Sequence, residues 1–128
     1  MIVVDTSVWV AALRSAESRE AIVLTSLLDS DEVALPVPVR VELLAGASRA
    51  NRPRLRRGLS ALPVLYPGDA CWSLVDAWVE QAGEAGERFG FGDLLIGALA
   101  AGTGALVWSL DADFTRMSRL RLVELYAP

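Results

Sequence analysis

The chain has 128 residues, a hydrophobic share of 53% and a net charge of −4, which suits one domain spanning 1–128 and argues against a surface that coats nucleic acid. It has no histidine and no lysine, so all twelve basic residues are arginine; His general bases, His-bound metals, Lys nucleophiles and phosphate-loop lysines are excluded. The single cysteine, Cys71, excludes an internal disulfide and suits a reducing cytosol.

Ile2–Val4 is a continuous apolar run, the pattern of a strand buried on both faces. Thr6 or Ser7 can cap a helix reaching Leu13. A second helix is expected over 17–28, with Ala21, Leu24, Leu27 and Leu28 on one face. "DSDEVALP" gives a polar turn and a strand at 33–35 that Pro36 stops. Pro38 suits the first turn of a helix ending near Gly46. "SRANRPRLRRGLSAL" reads as an arginine-rich turn and helix, and "PVLYPG" as a strand. Asp69 can cap a helix with Trp72, Val75, Val79 and Ala82 on one face. "FGDLLIGALAAGTG" predicts a helix that is apolar all round and hence central, and Gly97 should loosen it slightly. "ALVW" is a strand, "SLDADFTRMSRL" a loop with a short helix, and "RLVELY" a last strand. Helices alternating with short apolar strands predict an α/β domain of three layers, α/β/α, around a mainly parallel sheet of four to five strands. The apolar stretch 94–110 is broken by Gly97, Gly102, Thr103, Gly104 and Ser109, a poor membrane span. No basic leader precedes Asp5, so a cytoplasmic protein is expected.

Most of the sixteen acids lie in polar surroundings. Asp5, Glu42, Asp93, Asp111 and Asp113 instead have apolar neighbours or directly follow an apolar strand. Each alone has a structural explanation, such as a helix cap or a turn. Together they share a place. Asp5 and Asp111 follow strands, Asp93 opens the helix before the fourth strand, and Glu42 lies one turn into the helix after the second. In an open parallel sheet the ligand crevice lies outside the carboxyl ends of the strands, at the switch in strand order. Carboxylates crowded there repel one another, and a hard divalent cation relieves the repulsion. An all-oxygen set suits Mg²⁺ or Mn²⁺, and such sites handle phosphate esters.

Four motifs in order, "IVVDTSVW", "VRVELLAGA", "FGFGDLLIGALA" and "ALVWSLDADF", resemble the PIN-domain ribonucleases, and most closely the VapC-type toxins of toxin–antitoxin pairs. The resemblance covers essentially the whole chain. It implies a PIN-like fold and a Mg²⁺- or Mn²⁺-dependent endoribonuclease, with catalytic acids carried over to Asp5, Glu42, Asp93 and Asp111. Asp5, Asp93 and Asp111 would hold the cation, with Asp113 as an alternate ligand. Thr6 and Ser109 match hydroxyl positions near the metal. Glu42 would orient the attacking water, leaving a 5′-phosphate and a 3′-hydroxyl. The resemblance also implies a homodimer and a VapB-like antitoxin that lays a helix in an apolar groove and sends a basic side chain into the acidic pocket. Trp9 is the expected partly exposed contact; Trp72, Trp78 and Trp108 are expected in the core.

Arg49, Arg52, Arg54, Arg56 and Arg57 form the one concentrated basic run. It fits RNA phosphate contacts and equally a solvated helix face or ion pairs to acids elsewhere. "DADFT" also fits an aspartyl-phosphate signature, but that chemistry needs a downstream lysine and the chain has none. A catalytically silent PIN fold acting only through an antitoxin complex is the alternative; a missing acid would favour it, and none is missing.

Overall fold

The computed structural model describes Met1–Pro128. Its first strand, β1 (Ile2–Val4), is buried on both faces and leads into helix α1 (Thr6–Arg14). Asp5 caps α1, where Thr6 or Ser7 was expected, and its side chain accepts from the Ser7 N–H. Helix α2 (Arg19–Asp29) starts two residues later than expected because Ser18 supplies its N-cap. Strand β2 (Val33–Pro36) passes directly into α3 (Val37–Gly46), with Pro38 in the first turn, where a missing N–H costs nothing. The arginine-rich segment forms α4 (Arg52–Leu59), and β3 (Val64–Leu65) is shorter than its sequence suggested.

Helix α5 (Asp69–Glu84) is capped by Gly68, so Asp69 sits in the first turn. Its buried face is Val75, Trp78 and Ala82. Trp72 and Val79, expected on that face, are exposed, and Trp72 stacks on the still more exposed Phe91 at 5.9 Å. The expectation for the tryptophans is therefore corrected. Trp9, Trp78 and Trp108 are core residues and Trp72 is the exposed one.

Helix α6 (Phe91–Thr103) is buried from Leu94 to Ala100 and packs on β1, β2, α5 and α7 (Ala112–Arg119). Gly97 has a larger role there than loosening the helix. A Cβ at that position would stand 2.7 Å from Met117 Cε and 3.2 Å from both Trp78 and Val123. The missing side chain lets α7 and the C-terminal segment close on α6. Gly104, at φ 69°, ends α6 in the left-handed conformation that glycine adopts without strain. Strand β4 (Leu106–Trp108) follows. The expected last strand is reduced to a single parallel bridge, Val107 to Leu125.

The sheet order is β3-β2-β1-β4, with every pair parallel. The chain steps one way from β1 to β3 and then crosses to the far side of β1 for β4. Right-handed crossovers then put α1–α4 on one face and α5–α6 on the other. The order reverses between β1 and β4, so the crevice outside their carboxyl ends is the natural site. No helix is long and apolar enough to cross a membrane.

Candidate active site

The β1–β4 ladder ends where the Asp5 N–H donates to the Trp108 carbonyl at 2.9 Å. Just beyond it, both strands release their chains into the crevice. Asp5 is the only buried charged residue of the protein, 5% exposed. Its Oδ2 accepts from the hydroxyls of Ser7 (2.7 Å) and Ser109 (2.8 Å). The two hydroxyl oxygens lie 3.3 Å apart, but each proton is already given to Asp5. Ser7 Oγ in turn accepts from the Leu110 N–H, and Ser109 Oγ from the Asp111 N–H. The carboxylate thus ties the start of α1 to the loop after β4. All of these bonds fall on Oδ2, and Oδ1 receives none from the protein.

The loop after β4 turns into α7, with Asp111 as its N-cap; Asp111 Oδ1 accepts from the Asp113 N–H at 2.9 Å. This capping places one carboxylate oxygen each of Asp93, Asp111 and Asp113 within 4.8 Å of one another. Asp93 comes from the first turn of α6. Its carboxyl is pushed up to about 7, chiefly by burial, then by its hydrogen bond to Asp113 and the charges of Asp111, Asp5 and Asp113. Asp113 is held below its usual range, mainly by the Arg116 guanidinium. Glu42 stands on the more exposed side of α3, yet partial burial of its carboxyl and the Asp5 charge raise it. The adjacent Thr6 hydroxyl opposes that rise without a hydrogen bond of good geometry, leaving the buried Thr6 Oγ1 unpartnered.

Asp5 therefore joins two groups. It acts on Glu42 on one side and on the Asp93–Asp111–Asp113 cluster on the other. Of the acids expected to converge, Asp93 and Asp111 lie in one cluster, which also takes in Asp113; Asp5 and Glu42 stand outside it, and only the charge of Asp5 links the two sides. The set fits a hard divalent cation. The donors are all oxygen, burial and neighbouring acids raise the Asp93 carboxyl, and Asp5 Oδ1 and Thr6 Oγ1 are uncommitted. Of the two hydroxyls named with the site, Ser109 donates to Asp5 and Thr6 lies beside Glu42. Ser7 and Arg116 went unnoticed in the sequence, because serine and arginine carry no local signature of the carboxylates they contact.

The arginine run does not act as a unit. The Arg52 guanidinium donates to the Leu44 and Ala47 carbonyls at 2.9 and 3.1 Å, closing the end of α3. Arg49, Arg54, Arg56 and Arg57 are exposed, and none pairs with a carboxylate. Arg54 also lines a groove of about 750 Å³ beside Trp9, Leu13, Leu28, Leu55 and Leu62.

Residues 2–120 match the family described as PIN domain. The chain is 35% identical over 125 residues to ribonuclease VapC11 of Mycobacterium tuberculosis and to a VapC ribonuclease of Mycobacterium bovis, covering 94% of this chain and 93% of each relative. Among solved structures, it is similar to VapBC2 of Rickettsia felis bound to a promoter DNA fragment (TM-score 0.81, 21% identity, 98% of both chains). It is also similar to VapBC-5 of M. tuberculosis (TM-score 0.72, 26% identity, 98% and 97% covered).

Proposed function

The chain belongs to the PIN-domain family, and on that premise we propose that it is a VapC-type toxin, an endoribonuclease that hydrolyses RNA phosphodiester bonds with Mg²⁺ or Mn²⁺. One observation carries the reading. Oxygens of Asp93, Asp111 and Asp113 lie within 4.8 Å of one another, beside the switch in strand order where ligands of parallel sheets bind, and burial, with the neighbouring acids, pushes the Asp93 carboxyl up to about 7.

Asp5, Asp93 and Asp111, with Asp113, would hold the cation, which supplies charge neutralisation for the phosphate and an activated water. The remaining chemistry belongs to the chain. Ser7 and Ser109 fix Asp5 by two short bonds, so that its free oxygen keeps one direction. Glu42, its carboxyl raised by burial and by the Asp5 charge, would orient the attacking water. The unpartnered Thr6 hydroxyl is a donor beside it. Arg49, Arg56 and Arg57 are free to contact RNA phosphates.

VapBC relatives are toxin–antitoxin complexes, so the partner we assign is a VapB-like antitoxin. The apolar groove beside Trp9, with a buried indole N–H that has no partner, suits an amphipathic helix. A basic antitoxin side chain would neutralise the acidic crevice. A homodimer completes the assembly we propose. The decisive experiment replaces Asp93 with Asn and measures cleavage of total cellular RNA in Mg²⁺ or Mn²⁺. Cleavage should be lost; undiminished cleavage would refute the reading.

A further inference from the structure

Of the twelve arginines, Arg116 alone pairs with side-chain carboxylates. One arm of its guanidinium donates to Asp113 Oδ1 at 2.5 Å and the other to Glu87 Oε2. Its central carbon lies 4.8 Å from the centre of the Phe89 ring, within reach of a favourable cation–aromatic contact. Phe89 is buried, and Phe114 and Met117 bury the opposite face of α7. Arg116 therefore has a fixed seat. Phe89 and Glu87, both in the connection between α5 and α6, hold the guanidinium from behind, and it holds Asp113 in front. Asp113 in turn has a carboxylate oxygen within 4.8 Å of Asp93 and Asp111 oxygens. A cation beside a cluster built to hold a cation is a poor choice unless orientation matters more than net charge.

We propose that Arg116 is a positioning residue: anchored by Glu87 and Phe89, it fixes the Asp113 carboxylate against Asp93 and so sets the geometry of the acidic cluster before any metal ion arrives. The proposal rests on the metal-dependent reading above. Carboxylate ligands are generally oriented by outer partners whose loss weakens metal binding about 10–100-fold. The planar fork of arginine can grip two carboxylates at once, and a lysine ammonium cannot reproduce that geometry. With one oxygen taken by Arg116, Asp113 has a single oxygen left for the cluster. Asp111 is in the same position, because one of its oxygens caps α7.

The test is Mn²⁺ binding by the purified chain, measured by isothermal titration calorimetry, with thermal melts in the absence of metal as a check on folding. Arg116→Ala should weaken Mn²⁺ binding about tenfold or more, and Arg116→Lys should fail to restore it. Glu87→Gln touches no member of the cluster; it should weaken binding a few-fold, by roughly the low end of such effects, and add nothing in the Arg116→Ala background. Equal or tighter binding by Arg116→Ala overturns the proposal, since that is what removing a repelling charge alone would give. Additive effects of the two substitutions overturn it as well. If Arg116→Ala does not fold, Glu87→Gln decides, and unchanged affinity there refutes the proposal. Asp93→Asn in the same titration separates the two ideas. Lost binding by Asp93→Asn with normal binding by Arg116→Ala removes only the role of Arg116. A wild-type chain that binds no Mn²⁺ removes both.

Discussion

The acids at the end of the sheet and the arginines of α4 are opposite cases of how charge is used. Asp93 is separated by a strand from Asp111 and Asp113, yet the fold brings all three within 4.8 Å, and Asp5, far off in sequence, is close enough for its charge to act on Asp93. Arg49, Arg52, Arg54, Arg56 and Arg57 are neighbours in sequence, yet the fold separates their tasks. Arg52 is spent on backbone carbonyls, Arg54 lines an apolar groove, and the others face solvent. Density along the chain is a poor guide to density in space. A helix distributes consecutive side chains around its axis, whereas a parallel sheet gathers the ends of its strands on one edge.

The largest expected effect tests the acidic side of this contrast. Asparagine caps a helix about as well as aspartate, so Asp5→Asn should leave the melting temperature nearly unchanged while removing the charge. Under the proposed function, RNA cleavage in Mg²⁺ should fall on the order of a hundredfold or more. A variant that keeps its activity would reduce Asp5 to a cap and erase the contrast. On the basic side, Arg52→Ala should cost about 1–2 kcal/mol of stability in denaturant titrations, because two charge-assisted bonds to the end of α3 are lost at a half-buried position. Arg56→Ala and Arg57→Ala should each stay within about 0.5 kcal/mol. If these two contact RNA, the pair should lower the slope of log affinity against log salt by about 0.7 per contact on single strands. Similar stability losses at Arg52 and Arg56 would mean that the run acts as one surface after all.

A separate expected effect on the acidic side is a pH dependence of stability without divalent cation. Asp93 rises from an ordinary value near 3.8 to about 7 in the folded chain, so between those values the folded state holds a proton that the unfolded state has released. Stability should therefore fall as pH rises from about 4 to about 7. Glu42 contributes in the same sense, and Asp113, held low by Arg116, opposes them weakly from an exposed position. Asp93→Asn should flatten the decline, and added Mg²⁺ should offset it at the alkaline end. A stability that instead rises through this range would show that the acids are paired and not crowded.

Much of the architecture was legible in the residues. Apolar runs of three or four residues gave the strands, Pro38 and Gly104 bounded helices, and the continuous apolar character of 94–100 marked α6 as central. The caps were less legible. Asp5, open to a capping role like Thr6 and Ser7, supplies the first, and Gly68 supplies one where Asp69 was expected, because the position of a cap follows from where the preceding strand lets go. The burial of α5 was misread because Trp72 is apolar and Trp78 equally so, and only the neighbours on α6 choose between them. Gly97 looked like a weakness of its helix, while the room it leaves is needed by Met117, Trp78 and Val123.

The sequence by itself determined the element types, the parallel α/β class and the chemistry available. Without histidine or lysine, only carboxylates, hydroxyls and arginines remain to act, and those facts do not depend on how the chain packs. Tertiary structure alone decided that Asp113 joins Asp93 and Asp111 in one cluster, that Ser7 rather than Thr6 grips Asp5, and that Arg116 is the arginine tied to that cluster. The reason is range. Strand and helix propensities act over a few residues and are written locally, whereas the energy of a charge depends on every charge within several ångströms, whichever part of the chain supplies it.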